Sequence, residues 1–195
     1  PPISTLFPYT TLFRSRAIAA AVPGMPIIAY NVPGRTGLNM APATLARLWD
    51  IPEVVAVKES SGNLAQIGEI ARTLPPGKLL FAGDDSFALP AIALGASGLV
   101  SVIGNILPRE TKALVQAALT GDILEARAIH ARLLPVMDAL FLESNPVPLK
   151  AALELDGQCQ AVVRLPLMPA CEATRMALTK LLKPFGIPAT NGDVP

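Results

Sequence analysis

Val54-Val55-Ala56-Val57-Lys58-Glu59-Ser60-Ser61-Gly62-Asn63 is the stretch on which the reading of this chain turns. Four apolar residues run without polar alternation, as expected of a strand covered on both faces. The run ends at Lys58, and Leu64, Ile67, Ile70, Ala71 and Leu74 follow on one helical stripe. Strand, polar turn and helix in that order make one βα unit of a parallel sheet.

The same unit recurs on either side. Pro26-Ile27-Ile28-Ala29-Tyr30 reads as the preceding strand, closed by the turn Asn31-Val32-Pro33-Gly34. A helix opens near Pro42, a favourable first-turn residue, and runs to about Trp49. Downstream come the strand Leu79–Ala82, the turn Gly83-Asp84-Asp85, and a helix from Ser86 to Leu94 stopped by Gly95. Gly98-Leu99-Val100-Ser101-Val102 reads as a fourth strand. After Pro108 the alternation ends, and helices are expected over 109–120, 123–141 with a bend at Pro135, 147–155 and 171–182. Asp122 is the expected N-cap of the second. The division is therefore 1–15, 16–107 for the βα units, 108–186 for the helical region, and a frayed tail over 187–195. Four βα units are half of a (β/α)₈ barrel, so the pattern alone fits a small doubly wound domain or part of a barrel.

Composition narrows the function classes. Hydrophobic residues make up 51% and charged residues 16%, a balance for a well-buried core and against disorder. A net charge of +1 with no basic run, and few aromatics, gives no footprint for nucleic acid. No apolar run is long enough to span a membrane, and PPISTLFPYTTLFRS (residues 1–15) does not read as a signal peptide, so a cytoplasmic location is the default. One histidine, His130, and two cysteines, Cys159 and Cys171, do not supply a zinc-ligand set. Both cysteines are expected as buried or partly buried thiols.

Lys58 stands at the expected carboxyl end of a buried strand, where α/β folds place their sites. Partial desolvation there favours a neutral amine, which can attack a ketone and form an imine. The same position also suits a lysine that snorkels to the strand end or pairs with Glu59. Tyr30, closing the preceding strand, offers a proton relay or simply an aromatic cap on the core. Arg35 offers either a bidentate fork for a carboxylate or an ordinary surface charge. Asp84 and Asp85 can line the site, although an N-cap or first-turn role fits them better. The loop Gly34-Arg35-Thr36-Gly37 lacks the spacing of either nucleotide-binding fingerprint.

Together these segments resemble a known family. Tyr30–Gly37 resembles the tyrosine motif of dihydrodipicolinate synthases, and Val57–Asn63 resembles their Schiff-base lysine motif. Gly83-Asp84-Asp85, Gly95-Ala96-Ser97-Gly98, Asn145–Lys150 and Arg164–Pro169 are also similar, in order, and the resemblance covers roughly 16–186. It implies an α/β fold, the C-terminal half of a (β/α)₈ TIM barrel followed by a C-terminal helical extension. It implies Lys58 as the nucleophile for pyruvate, Tyr30 as the relay, and Arg35 meeting the carboxylate of aspartate semialdehyde. Val100 would line the pyruvate end with its backbone, and Gly83, Asp84 and Asn145 would line or shape the site. No cofactor beyond the covalent imine is implied, nor any metal, and the intact family forms homo-oligomers. The Arg35 position favours the synthase over lyase or dehydratase relatives.

The family's first four βα units have no counterpart here. Neither does its Gly-Thr-Thr-Gly-Glu segment, which holds the pyruvate carboxylate, nor a tyrosine that completes the relay across a subunit interface. Residues 1–15 resemble nothing at their place in the family and are expected to be a foreign segment joined in mid-helix. An independent DNA read across codon 16 tests that junction.

Overall fold

The computed structural model describes residues 7–187, which fall into two compact units divided between Val100 and Ser101. The expected frayed tail lies outside the described residues from position 188 onward, while Ile187 itself is buried.

The first unit begins with helix α1 (Phe7–Ala21), which runs unbroken across position 16. Four strands follow, β1 (Ile27–Asn31), β2 (Val54–Glu59), β3 (Leu79–Ala82) and β4 (Gly98–Leu99), all parallel and in sheet order β1-β2-β3-β4. Sequence order equals spatial order because each crossover carries a helical segment back along the sheet. These segments include α2 (Pro33–Thr36) and α3 (Pro42–Leu48) after β1, α4 (Leu64–Thr73) after β2, and α5 (Ala88–Ala93) after β3. Asn63 starts α4 as its N-cap, its side-chain oxygen accepting from the Gln66 N–H at 3.1 Å.

Four expectations are corrected in this unit. Residues 33–36 form one helical turn instead of a loop, with Pro33 in its first turn and Gly37 (φ +68°) closing it in the left-handed region. The fourth strand stops at Leu99, because β3 offers ladder partners only as far as Ala82. On α4 the buried side chains are Gln66, Ile67 and Ile70, and Leu64 is exposed, because a polar cluster draws Gln66 inward. Among the described residues, the sheet is not covered on both faces. Leu80, Ala82, Val57 and Asn31 are buried, whereas Ile28 (51% exposed), Tyr30 (44%) and Leu79 (42%) stand on the other face at β1 and β3.

The second unit is helical: α6 (Pro108–Leu119), α7 (Ile123–Ala139), α8 (Val147–Leu155) and α9 (Glu172–Leu182). Asp122 caps α7 as expected, accepting from the Glu125 N–H at 3.1 Å, and the helix continues through Pro135. Leu114, Leu133, Met137, Leu140, Leu178 and Leu182 are fully buried, and Arg175 on α9 pairs with Glu154 on α8 at 2.8 Å. Cys159 and Cys171 are both free and exposed, contrary to expectation. Cys159 lies beyond the end of α8 and Cys171 at the N-cap of α9, outside the buried helix faces. No helix among the described residues is long and apolar enough to cross a membrane.

Candidate functional site

Parallel pairing sets the site. Tyr30 on β1 registers with Lys58 on β2, and Lys58 registers with Phe81 on β3, which registers with Gly98 on β4. Registered residues of parallel strands project to the same face, so Tyr30, Lys58 and Phe81 stand in a row at the carboxyl edge. The Lys58 Nζ lies 4.2 Å from the centre of the Tyr30 ring, within the range of a cation–π contact.

One row further along, the ladder continues beyond the strands. The Ser60 N–H donates to the Asn31 carbonyl at 2.8 Å, the Gly83 N–H to that of Glu59 at 2.8 Å, and the Val100 N–H to that of Ala82 at 2.9 Å. Ser60, Gly83 and Val100 therefore share the Lys58 face. Gly83 has to lack a side chain there. A Cβ on it would collide with Ser60 Oγ and stand 2.9 Å from Lys58 Cε and 3.0 Å from Lys58 Cγ. Val100 spends its N–H on the ladder bond to the Ala82 carbonyl.

The opposite face carries a polar cluster that sequence reading missed. Asn31 and Glu59 are almost fully buried. The Asn31 Nδ2 donates to Glu59 Oε1 at 3.1 Å and Oε2 at 2.9 Å, and to Asn39 Oδ1 at 2.9 Å. The Ser61 N–H donates to Glu59 Oε1 at 2.7 Å, and Gln66 Nε2 to Glu59 Oε2 at 3.3 Å. Asn31 Oδ1 accepts from the Met40 N–H at 2.8 Å, which ties the loop after β1 to the same cluster. Adjacent strand residues point to opposite faces, so Glu59 turns away from Lys58 and the two do not pair. A signal was present: Glu59 is two residues from the buried Val57, and a period of two puts both on one side.

Asp84 occupies the N-cap position of a 3₁₀ turn but makes no side-chain cap bond, while the buried Asp85 lies in the first turn. Burial pushes the Asp84 carboxyl above its ordinary 3.8; the Lys58 charge opposes this, Asp85 and Glu59 add to it, and Arg35 opposes it weakly. Arg35 is exposed on α2, and its charge acts on Asp84. Asn145 belongs to the second unit, just ahead of α8.

A carboxyl held above its unfolded value stabilises the fold fully only below that unfolded value. That contribution is lost as pH rises through the folded pKa. Asp84→Asn should therefore match the parent in unfolding midpoint near about pH 3 and become the more stable of the two as pH rises toward neutrality. A difference that does not change with pH, measured by urea titration, would contradict the assignment.

The chain is a parallel α/β protein with a lysine and a tyrosine paired at the carboxyl edge of its sheet, the edge where α/β folds place their sites. The comparisons place it further. The pattern of the dihydrodipicolinate synthetase family matches residues 13–185, and the chain belongs to that family. It is 48% identical over 171 residues to a 4-hydroxy-tetrahydrodipicolinate synthase of Thermomicrobium roseum, covering 88% of this chain and 57% of that relative. With the Geotalea uraniireducens enzyme of the same name the figures are 46% over 172 residues, 88% and 59%. Among solved structures, dihydrodipicolinate synthase from Aquifex aeolicus superposes with a TM-score of 0.90 at 38% identity, covering 94% of this chain and 63% of that one. A chloride-inhibited dihydrodipicolinate synthase from Acinetobacter baumannii, complexed with pyruvate, gives 0.88 at 35%, covering 92% and 62%. The chain thus spans about three-fifths of the length of these relatives.

Proposed function

We propose that this chain carries the Schiff-base side of a dihydrodipicolinate synthase-type site, with Lys58 as nucleophile toward pyruvate. The observation that carries the reading is the Lys58–Tyr30 pair, 4.2 Å apart at the carboxyl edge of a parallel sheet in a member of this family. The pyruvate named for the Acinetobacter relative supports the choice of keto acid. In this reading the four-stranded sheet is the C-terminal half of a (β/α)₈ barrel, with the helical unit as its extension.

The neutral Lys58 amine attacks the keto carbon, and the new C–N bond gives a carbinolamine. Loss of water leaves a protonated imine, which acts as an electron sink when a methyl proton departs. The resulting enamine adds its carbon to the aldehyde of aspartate semialdehyde. Tyr30 shuttles protons at the dehydration step, Arg35 receives the carboxylate of the second substrate, and the Val100 carbonyl lines the pyruvate end. Gly83 keeps space beside the lysine stem, and Asp84 offsets its charge. The covalent imine takes the place of any cofactor. The activity belongs to lysine and diaminopimelate biosynthesis in the cytoplasm, by homo-oligomers.

The test is borohydride reduction of the purified chain in the presence of pyruvate, followed by peptide mass mapping. A reduced pyruvyl adduct on the Lys58 peptide is expected. A soluble, folded chain that takes no adduct would overturn the reading.

The open sheet face at Ile28, Tyr30 and Leu79 favours a second reading, a fragment that folds by association. On that reading the chain elutes as an oligomer and its unfolding midpoint rises with protein concentration. A monomer with a concentration-independent, cooperative transition would count against it.

A further inference from the structure

Among the described residues, Ser60 Oγ is a buried side-chain oxygen with no hydrogen-bond partner. Buried hydroxyls are normally bonded, because removal from water without a partner is destabilising. An orphan therefore asks for an explanation, and its position supplies one. The ladder bond from the Ser60 N–H to the Asn31 carbonyl continues β2 by one residue, which aims the Ser60 side chain to the Lys58 face. Its Oγ and the Lys58 Cε both crowd the point where a Cβ on Gly83 would stand, so the hydroxyl lies beside the lysine stem. The other polar groups of this loop are already engaged. Asn63 caps α4, the Ser61 hydroxyl accepts from the Asn63 N–H at 3.2 Å, and Glu59 is committed to the opposite face.

We propose that Ser60 is a substrate-positioning residue whose O–H donates to the carboxylate of the 2-keto acid held on Lys58. The inference rests on the Lys58 reading above. The keto oxygen leaves as water when the imine forms, so the carboxylate is the oxygen-bearing group that persists beside the lysine. A bond from hydroxyl to carboxylate is also charge-assisted, and stronger than one to a neutral oxygen.

The experiment is borohydride trapping on the full chain, titrating pyruvate and, separately, acetone, which offers the ketone without the carboxylate. Ser60→Ala should raise the half-saturating pyruvate concentration about tenfold. It should leave acetone trapping unchanged and the melting temperature equal to or above the parent's, since an unbonded buried hydroxyl has been removed. Ser60→Cys, which keeps the size and weakens the donor, should shift pyruvate in the same direction. An unchanged pyruvate titration overturns the proposal, as does an equal loss for acetone or a fall in stability that accounts for the shift. A parent chain that forms no pyruvyl adduct overturns the Lys58 reading and this one together. A parent that forms it, with both variants unaffected, overturns the Ser60 assignment alone.

Discussion

Gly83→Ala should cut the yield of pyruvyl adduct on Lys58 by about a hundredfold, the size of loss that accompanies displacing a reacting group by roughly an ångström. The cause is steric and not conformational. Gly83 does not lie in the left-handed region, so an alanine can adopt its backbone. What it cannot do is share the space with the Ser60 hydroxyl and with the Lys58 stem at 2.9–3.0 Å. The flexible stem gives way more easily than the strand, so the amine moves while the fold persists. The unfolding midpoint should therefore shift little. At saturating pyruvate, combining Gly83→Ala with Ser60→Ala removes one of the two collisions and should recover part of the adduct, a coupling that independent sites would not show. Full adduct formation in Gly83→Ala, read by the same mass mapping, would mean that the lysine tolerates displacement.

Glu59→Ala should destabilise the chain by about 2–4 kcal/mol, because it strands several buried neutral donors without an acceptor. The carboxylate is almost fully buried and accepts from Asn31 Nδ2, the Ser61 N–H and Gln66 Nε2. Alanine leaves those donors without an acceptor, in a place water does not readily reach. Glu59→Gln keeps the volume and one carbonyl oxygen, so it should cost less, about 1–2 kcal/mol. Urea unfolding followed by circular dichroism separates the two. If both variants fall within about 0.5 kcal/mol of the parent, the cluster is not what holds the strand ends together.

Much of this was legible in the sequence, and the reason is local. β1, β2 and β3 were marked by short apolar runs bounded by turn residues, and α4 and α7 by periodicity with caps. Lys58 and Tyr30 were legible as strand-end residues, and the register then brought them to 4.2 Å. The cluster around Glu59 was not legible as a cluster. Its members, Asn31, Asn39, Glu59 and Gln66, come from four segments, and no propensity says that four polar side chains will meet in a buried place. Gln66 displaced Leu64 from the expected buried stripe for the same reason: a tertiary hydrogen bond outweighed helical periodicity. The short β4 reflects a limit set by its neighbour, which runs out of ladder partners at Ala82. The orphan hydroxyl of Ser60 is a property of its surroundings, and no single residue of the sequence announces it.

The alternation of Lys58 and Glu59 on one strand has an engineering consequence. On the proposed reading, two neighbouring codons govern separate properties: one sets what the sheet presents to a small molecule, the other how well the strand ends cohere. A library confined to Ile28, Tyr30, Lys58 and Phe81 would explore new reactivity while Asn31 and Glu59 keep the scaffold intact. Selection for heat resistance would do the reverse, drawing its gains from the hidden side of the same strands. Trade-offs between the two should then be weak at these positions, and improvements found separately can be combined.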